Sequence, residues 1–221
     1  MSAKPRALDL FCGAGGATRG LQMAGFHVTG VDNRPQPRYV GECFRIADAL
    51  KYVEHYGREF DFIWASPPCQ AFTSLNKRFK LDPRKHPNLI GATREALKIA
   101  GISWVIENVW GAPLKNPIVL CGSMFGLQLK GKGYLRRHRL FESNFFILAP
   151  PCNHFGKGRA LTIAGHGATD GKKGGMKLGA NDARLILDTP WMNRDGAAQA
   201  IPPAYSEFIG RQAMQYLRMT A

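Results

Sequence analysis

A cysteine stands directly behind two prolines in the segment "FIWASPPCQ", residues 62–70. Proline fixes its φ angle and cannot extend a sheet, so the turn that follows the apolar run is rigid. A rigid turn at the end of a buried strand can hold a nucleophile, and nearby cations or a helix N-terminus favour its thiolate form. A free cysteine is also commonly a small buried hydrophobic residue. Cys69 is therefore a candidate nucleophile that needs support from other residues.

Glu107 supplies a carboxyl group at the end of the apolar segment "WVIENV", residues 104–109. Burying a carboxylate is costly unless a partner or a reaction uses it. A thiol and a carboxyl group on neighbouring strands suit attack on a ring combined with proton transfer. The alternative is a glutamate that pairs with a structural arginine. Together with Cys69, Glu107 predicts a catalytic pair at the floor of a cleft.

Small residues follow another strand in "DLFCGAGG", residues 9–16. Gly13 and Gly15 allow the backbone to approach a ligand closely at the start of a helix. Thr18 occupies the place of the third glycine in the dinucleotide-binding fingerprint, so that fingerprint is absent. A tight structural turn between a strand and a helix explains these glycines equally well.

Two aspartates end the next two strands and extend the same pocket. Asp32 can accept hydrogen bonds from both hydroxyls of a ribose, and Asp48 can accept one from an adenine amino group. Each could instead cap a helix or lie in a solvated turn. Together they predict a nucleoside pocket with no provision for a diphosphate.

An α/β fold must position these residues. Apolar runs predict strands at 7–11, 27–32, 44–48, 61–67 and 103–109, and helical spacing predicts helices at 16–25 and 92–101. This alternation indicates βαβ units and a mostly parallel sheet, which binds ligands at the carboxyl ends of its strands. Beyond residue 110 we expect β structure, then glycine-rich loops over 152–180 and a helix that starts near Pro202.

The composition narrows the class of protein. The chain has 221 residues and 45% hydrophobic residues, with no apolar run long enough to span a membrane and no apolar signal-peptide stretch. Its five cysteines are scattered without a CxxC pair, which favours reduced thiols in the cytoplasm. Cys152 and His154 are spaced like half a metal site, but the sequence offers no evident second pair, so no metal is expected.

The charge points to a polyanionic partner. The formal net charge is +14, and basic residues cluster at 77–85 and 130–139 and recur through 157–177. Solubility alone is the alternative explanation, but the clustering favours binding to nucleic acid. Phosphate contacts would make that binding steeply dependent on salt.

Four segments in order, "DLFCGAGGATRG", "SPPCQ", "ENV" and "RRHR", resemble the ordered motifs of the DNA cytosine-5 methyltransferases. The resemblance covers most of residues 7–143. It implies a Rossmann-like, S-adenosylmethionine-dependent methyltransferase fold, with a mostly parallel sheet, flanking helices and a small target-recognition region rich in β structure and loops. It also implies a catalytic domain over 1–149, a short recognition region over 150–190 and a segment over 191–221 that returns to the catalytic domain.

The same resemblance implies roles for individual residues. Cys69 would attack C6 of a flipped-out cytosine, Glu107 would contact N3 and the exocyclic amine, and Arg137 and Arg139 would hold the base. The residues that would line the S-adenosylmethionine pocket are Phe11, Gly13, Ala14, Gly15, Gly16, Asp32, Asn33, Asp48, Ala49 and Pro68. Those that would contact double-stranded DNA are Gln70, Ser74, Lys77, Arg78, Lys80 and Arg136. A monomer is expected.

The chain departs from the family after residue 148. Only residues 149–187 separate "FFIL" from the closing segment "DTPWMNRDGAAQAIPPAY", in which Ala198 and Gln199 replace a glycine and an asparagine. So short a region can place few side chains against bases, which predicts a target of about two to four base pairs or a loosely defined one. Such a compact form suggests a phage or mobile element. The alternatives are the same chemistry on tRNA, a catalytically silent DNA-binding protein and, disfavoured by Thr18, a nucleotide-dependent oxidoreductase.

Overall fold

The computed structural model describes residues 3–72, 82, 87–152, 154, 158–163 and 176–220. The strands in this part of the chain are β1 (Arg6–Leu10), β2 (His27–Asp32), β3 (Cys43–Ile46), β4 (Phe62–Ala65), β5 (Ser103–Asn108), β6 (Ile118–Leu120), β7 (Gln128–Leu129), β8 (Gly133–Leu135), β9 (Arg139–Ser143), β10 (Ala160–Thr162) and β11 (Met176–Lys177). The helices are α1 (Gly16–Ala24), α2 (Ala49–Tyr56), α3 (Ile90–Ala100), α4 (Ala180–Leu187), α5 (Arg194–Gln199) and α6 (Pro203–Thr220).

The larger sheet is mostly parallel, as the sequence predicts. Its strand order is β3-β2-β1-β4-β5-β9-β6, and β9 runs antiparallel to both of its neighbours. The pairs Leu10 with Ala65 and Ala65 with Ile106 align the carboxyl ends of β1, β4 and β5. The turns that follow these strands therefore open on the same edge of the sheet.

Helices cover both faces of this sheet. On one face, α1 and α6 pack against the sheet and bury Leu21, Tyr205 and Ile209 together with Phe26. On the other face, α2 and α3 pack against the sheet, and Val53 of α2 is one of the residues buried there. A β-carbon at Gly20 would lie 2.0 Å from the carbonyl oxygen of Pro203, so α1 and α6 are in backbone contact there. None of the described helices is both apolar and long enough for a bilayer crossing.

The predicted helices at 16–25, 92–101 and the C-terminus are confirmed as α1, α3 and α6. Neither α2 nor α4 was predicted. The sequence signal for α2 is Asp48, whose side chain caps the helix. Helix α4 starts at the end of the glycine-rich stretch for which the sequence predicts loops.

A smaller sheet in the order β11-β10-β8-β7 lies beside the first, in agreement with the expected region of β structure and loops. Its core is separate from the other two and includes Leu135, Leu161, Leu187, Met192 and Ala197. Residues from β8 and β10 thus share one core with α4 and α5 near the C-terminus.

Asp9 is a fully buried acid in the middle of β1. Its Oδ2 accepts a 2.6 Å hydrogen bond from the Thr18 hydroxyl, whereas Oδ1 has no partner among the described residues. Burial is the main cause that raises the Asp9 pKa to about 7. The folded protein therefore favours the neutral acid.

We expect the free energy of unfolding to fall as pH rises from about 4 to 7, because the unfolded chain ionises Asp9 near pH 4 and the folded chain only near 7. The loss is on the order of 4 kcal/mol. Urea denaturation of the native protein and of Asp9→Asn across this pH range measures it. The difference between the two should grow with pH and level off above 7. Asp188→Asn, at an exposed position, is the control, and equal pH profiles for all three proteins would contradict the assignment.

Candidate active site

The turn after β1 adopts a strained backbone that faces the end of β2. Phe11 has φ +60°, which is unusual for a residue with a side chain, and Gly13 has φ +51°. The Gly13 amide donates a 3.0 Å hydrogen bond to Asp32 Oδ2, and Asn33 beside it is exposed. The glycine turn and the predicted ribose-binding aspartate therefore lie in direct contact.

The small residues of this turn have different surroundings. A β-carbon on Gly13 would meet no atom within 4 Å, so that side of the turn is open to a ligand. At Gly16 it would lie 2.5 Å from the carbonyl oxygen of Ile201, and at Gly15 it would lie 2.9 Å from Val40. Gly15 and Gly16 are thus required for packing within the protein, a reason that the sequence alone did not reveal.

Asp48 has the helix-capping role that the sequence left open. Its Oδ1 accepts hydrogen bonds of 3.0 Å from the backbone amides of Leu50 and Lys51 at the start of α2. The carboxylate remains exposed, whereas the side chain of Ala49 is buried in the core.

The Pro-Pro-Cys turn is held from two sides. The Ser66 amide donates to the Leu10 carbonyl at 3.1 Å, which continues the pairing of β4 with β1. Asn108, fully buried at the end of β5, donates from Nδ2 to the Pro67 carbonyl at 2.9 Å. Pro68, Cys69 and Gln70 follow and are half-buried. Sequence analysis missed Asn108, although an amide that ends an apolar strand is a recognisable signal.

Asn108→Ala should reduce any activity that depends on Cys69 by about tenfold to a hundredfold, because loss of the Asn108 hydrogen bond displaces the turn that carries the thiol. It should also cost about 1–3 kcal/mol of stability, since the Pro67 carbonyl loses its partner. Asn144→Ala is a matched control: Asn144 bonds the backbone of Ile102 and Trp104 at the opposite end of β5. Kinetics and denaturation of both variants are compared. An equal loss of turnover in the two would contradict a positioning role for Asn108.

Glu107 and Arg139 form a largely buried ion pair. Glu107 Oε1 lies 3.1 Å from Arg139 Nε, and the two side chains are 6% and 16% exposed. Burial nevertheless raises the pKa of Glu107, and the Arg139 and Arg137 charges only partly oppose it. Glu107 therefore also fits the alternative of a glutamate that pairs with an arginine. The pair lies at the end of β5, the strand next to β4, which leads into the Cys69 turn.

The Cys69 thiol is held in its neutral form in the free protein. Burial is the main cause that raises its pKa, and the negative charge of Glu107 adds to the effect. Arg139 and Arg137 lower the pKa, but they do not outweigh the other two causes. The two arginines thus act in the direction that favours a thiolate, but burial and Glu107 outweigh them in the unliganded site.

Arg137 points to the backbone of distant segments. Its guanidinium donates to the carbonyls of Ile163 at 3.1 Å, Ala198 at 2.9 Å and Ala200 at 2.9 Å. Burial and Arg139 lower its pKa to about 9, which still leaves a cation at neutral pH. Arg137 thus joins the smaller sheet and the closing segment to β9, while Arg139 alone pairs with Glu107.

The closing segment also reaches the glycine turn. Trp191 donates from Nε1 to the Ala14 carbonyl at 2.9 Å, and Asn193 caps α5 by accepting from the Gly196 amide at 2.8 Å. Gln199 is the last residue of α5. Sequence analysis did not identify Trp191 as a support for the turn.

Most of the predicted DNA contacts fall outside the described residues, namely Ser74, Lys77, Arg78 and Lys80. Arg136 is described and exposed, and its backbone amide donates to the Leu161 carbonyl at 2.9 Å. Arg136 precedes the buried Arg137 in the sequence.

The expectation that Cys152 and His154 have no second pair is wrong. Cys121 and His138 lie beside them, and the four potential ligand atoms are within 4.8 Å of one another. The sequence separation between the two pairs hid this grouping.

Comparison with known proteins supports the fold and a distant relationship. No model of a known protein family matches the chain. It is 30% identical over 123 residues to the type II methyltransferase M.XorII of Xanthomonas oryzae pv. oryzae, an alignment that covers 49% of this chain and 29% of M.XorII. It is 34% identical over 85 residues to the type II methyltransferase M.HgiGI of Herpetosiphon aurantiacus, covering 33% of this chain and 66% of that protein.

The fold is similar to that of the S. pombe Dnmt2 methyltransferase, with a TM-score of 0.65 at 12% sequence identity. This similarity covers 97% of this chain and 99% of the Dnmt2 chain. The aligned part of M.XorII, in contrast, is less than a third of its length. The chain therefore has the Rossmann-like fold of the S-adenosylmethionine-dependent methyltransferases and weak sequence similarity to type II methyltransferases.

Proposed function

We propose that this chain is a DNA (cytosine-5)-methyltransferase that uses S-adenosylmethionine and a transient covalent bond to Cys69. One observation carries the proposal: the buried pair of Glu107 and Arg139 lies within electrostatic reach of the thiol at the rigid Pro-Pro-Cys turn. A thiol and a carboxyl group so placed suit addition to a pyrimidine ring.

The open side of the turn after β1 fits the cofactor. Gly13 leaves space above the backbone, the Asp32 carboxylate beside it would accept from the ribose hydroxyls, and the exposed Asp48 carboxylate would accept from the adenine amino group. Phe11 and Pro68, from the turns after β1 and β4, would complete the walls. S-adenosylmethionine, when bound there, supplies an electrophilic methyl group.

The addition step activates the ring. The Cys69 sulfur forms a bond to C6 of the flipped-out cytosine, and the electron pair of the C5–C6 double bond moves toward C5 and N3. Glu107 in its protonated form would give its proton, or a hydrogen bond, to N3 and would accept a hydrogen bond from the exocyclic amine. Transfer of the methyl group to C5 would break its bond to the cofactor's sulfonium and leave a thioether. Water would then take the C5 proton, and the electron pair of that C–H bond would re-form the C5–C6 double bond, break the C6–S bond and free Cys69 as a thiolate.

The charges around Cys69 suit this order of events. In the free protein the charge of Glu107 raises the pKa of the thiol, and burial raises the pKa of Glu107 itself, so uptake of a proton by Glu107 when the base binds would remove that repulsion and leave the two arginines to favour the thiolate. Contact of Glu107 with the base would therefore activate the nucleophile only when substrate is in place.

DNA is the proposed substrate because the sequence relatives are named type II methyltransferases. The smaller sheet and the residues around it would read a target of about two to four base pairs. The proposal is tested by incubating the protein with S-adenosylmethionine and either unmethylated duplex DNA or unmodified tRNA, followed by nucleoside mass spectrometry. We expect 5-methyldeoxycytidine from DNA. If methylcytidine forms in tRNA and no methylated cytosine forms in DNA, the substrate is RNA and not DNA. If neither nucleic acid gains a methylated base, the result contradicts the proposal.

A further inference from the structure

We propose that Cys121, His138, Cys152 and His154 form a zinc site beside the active site. Cys121 Sγ lies 3.3 Å and Cys152 Sγ 2.9 Å from His154 Nε2, and His138 Nε2 lies 3.4 Å from Cys152 Sγ. All four atoms are within 4.8 Å of one another. Two sulfurs and two imidazole nitrogens converge on one point.

These separations fit tetrahedral coordination. Bonds of about 2.3 Å to sulfur and 2.0–2.1 Å to nitrogen place neighbouring ligand atoms roughly 3.3–3.8 Å apart around Zn²⁺. The three separations of 2.9, 3.3 and 3.4 Å reach that geometry with shifts of less than an ångström, and no other pair is more than 4.8 Å apart. Thiolate together with imidazole is also the donor set that selects zinc over magnesium or calcium. A site with four protein ligands leaves no open position for substrate, so the ion would be structural.

The ligands come from three separate segments. Cys121 follows β6, His138 precedes β9, and Cys152 and His154 lie beyond β9. An ion bound here would tie the segment after residue 149 to the main sheet. Ser123 and Tyr134 lie next to the cluster. Ser123 Oγ is 3.7 Å from Cys152 Sγ, and the centre of the Tyr134 ring is 5.6 Å from that of the His154 ring.

The position of His138 links this site to catalysis. His138 stands between Arg137, which joins the closing segment, and Arg139, which pairs with Glu107. Metal coordination would fix the backbone from which both arginines project. The ion would thus position the ion pair without touching substrate.

Metal content and a cobalt spectrum test this proposal on the whole chain. Protein purified under reducing conditions without chelator should contain one zinc ion per chain by elemental mass spectrometry. After exchange with Co²⁺ it should show the visible bands of a tetrahedral site and a near-ultraviolet thiolate-to-cobalt band. Cys152→Ser and His154→Ala should reduce the metal to background.

Cys43 offers a matched control. Its Sγ lies 3.9 Å from His27 Nε2, but the pair belongs to no larger group of potential ligands among the described residues. Cys43→Ser should therefore keep the metal and the cobalt spectrum. Cys152 is exposed, so its replacement should not prevent folding, and the cobalt titration of the native protein is independent of any variant.

Several results would overturn the proposal. One is native protein that binds no zinc and gives no thiolate-to-cobalt band. Another is metal that is retained equally by Cys152→Ser, His154→Ala and Cys43→Ser. A third is a disulfide between Cys121 and Cys152 that persists in chelator-free protein purified under reducing conditions. The two sulfurs would then be bonded to each other and could not bind a metal ion.

Discussion

Cys69→Ala is expected to lower methyl transfer by on the order of 10⁴-fold or more, because the proposed mechanism depends on a bond from the Cys69 sulfur to C6. Without that bond, C5 of cytosine remains a poor nucleophile. The Cys69 side chain is half-buried, and the groups that act on its thiol are the charges of Glu107, Arg139 and Arg137. Loss of one sulfur should therefore leave the fold intact. Cofactor binding, assigned to the turn after β1, should also persist.

The measurement is transfer of labelled methyl groups to DNA by native protein, Cys69→Ala and Cys43→Ala. Cys43 lies in β3, is also half-buried and belongs to no part of the proposed site. Only Cys69→Ala should lose activity, while all three retain binding of S-adenosylmethionine by calorimetry. Substantial transfer by Cys69→Ala would exclude this residue as the nucleophile.

Glu107→Gln should reduce transfer by about 10²–10⁴-fold, since an amide cannot deliver a proton at N3. A second effect separates this role from a structural one. Glu107 raises the pKa of Cys69 through its negative charge, so its removal should lower that pKa. The variant should thus have a more acidic thiol and yet be a much poorer enzyme.

Peptide-resolved alkylation by iodoacetamide across alkaline pH measures the Cys69 pKa in both proteins. The Cys69 titration should move to lower pH in Glu107→Gln. Glu142→Gln is a useful comparison, because Glu142 is also buried and pairs with Arg94, with 2.6 Å between the charged groups, away from Cys69. An unchanged Cys69 titration, or one that moves to higher pH, would contradict the electrostatic account.

The strands that carry the site were predictable because short apolar runs ended in residues of unusual chemistry. β1, β2, β4 and β5 were all predicted close to their observed bounds, and parallel pairing then placed Cys69 and Glu107 at one edge. The antiparallel insertion of β9 between β5 and β6 was not predicted in detail. Its pairing is non-local, and apolar alternation does not identify the partner strand.

The contacts of individual side chains were harder to predict. The pair of Arg137 and Arg139 was expected to act together, but only Arg139 meets Glu107, while Arg137 binds three backbone carbonyls from later in the chain. Arg137 and Arg139 are two residues apart, so an extended segment would place both side chains on one face. Burial of the Arg137 guanidinium depends, however, on backbone carbonyls from later segments, and sequence patterns do not locate these. The grouping of Cys121 with Cys152 was hidden for the same reason.

Covalent trapping tests the central claim most directly. A duplex that contains 5-fluorocytosine allows addition of Cys69 and methyl transfer, but fluorine cannot leave C5 as a proton does, so the C6–S bond persists. Protein, S-adenosylmethionine and this duplex should give a denaturation-resistant complex whose cross-linked peptide, by mass spectrometry, contains Cys69. The complex should be absent with Cys69→Ala. A cross-link at another residue, or turnover of ordinary cytosine with no trapped complex from the fluorinated duplex, would contradict the account.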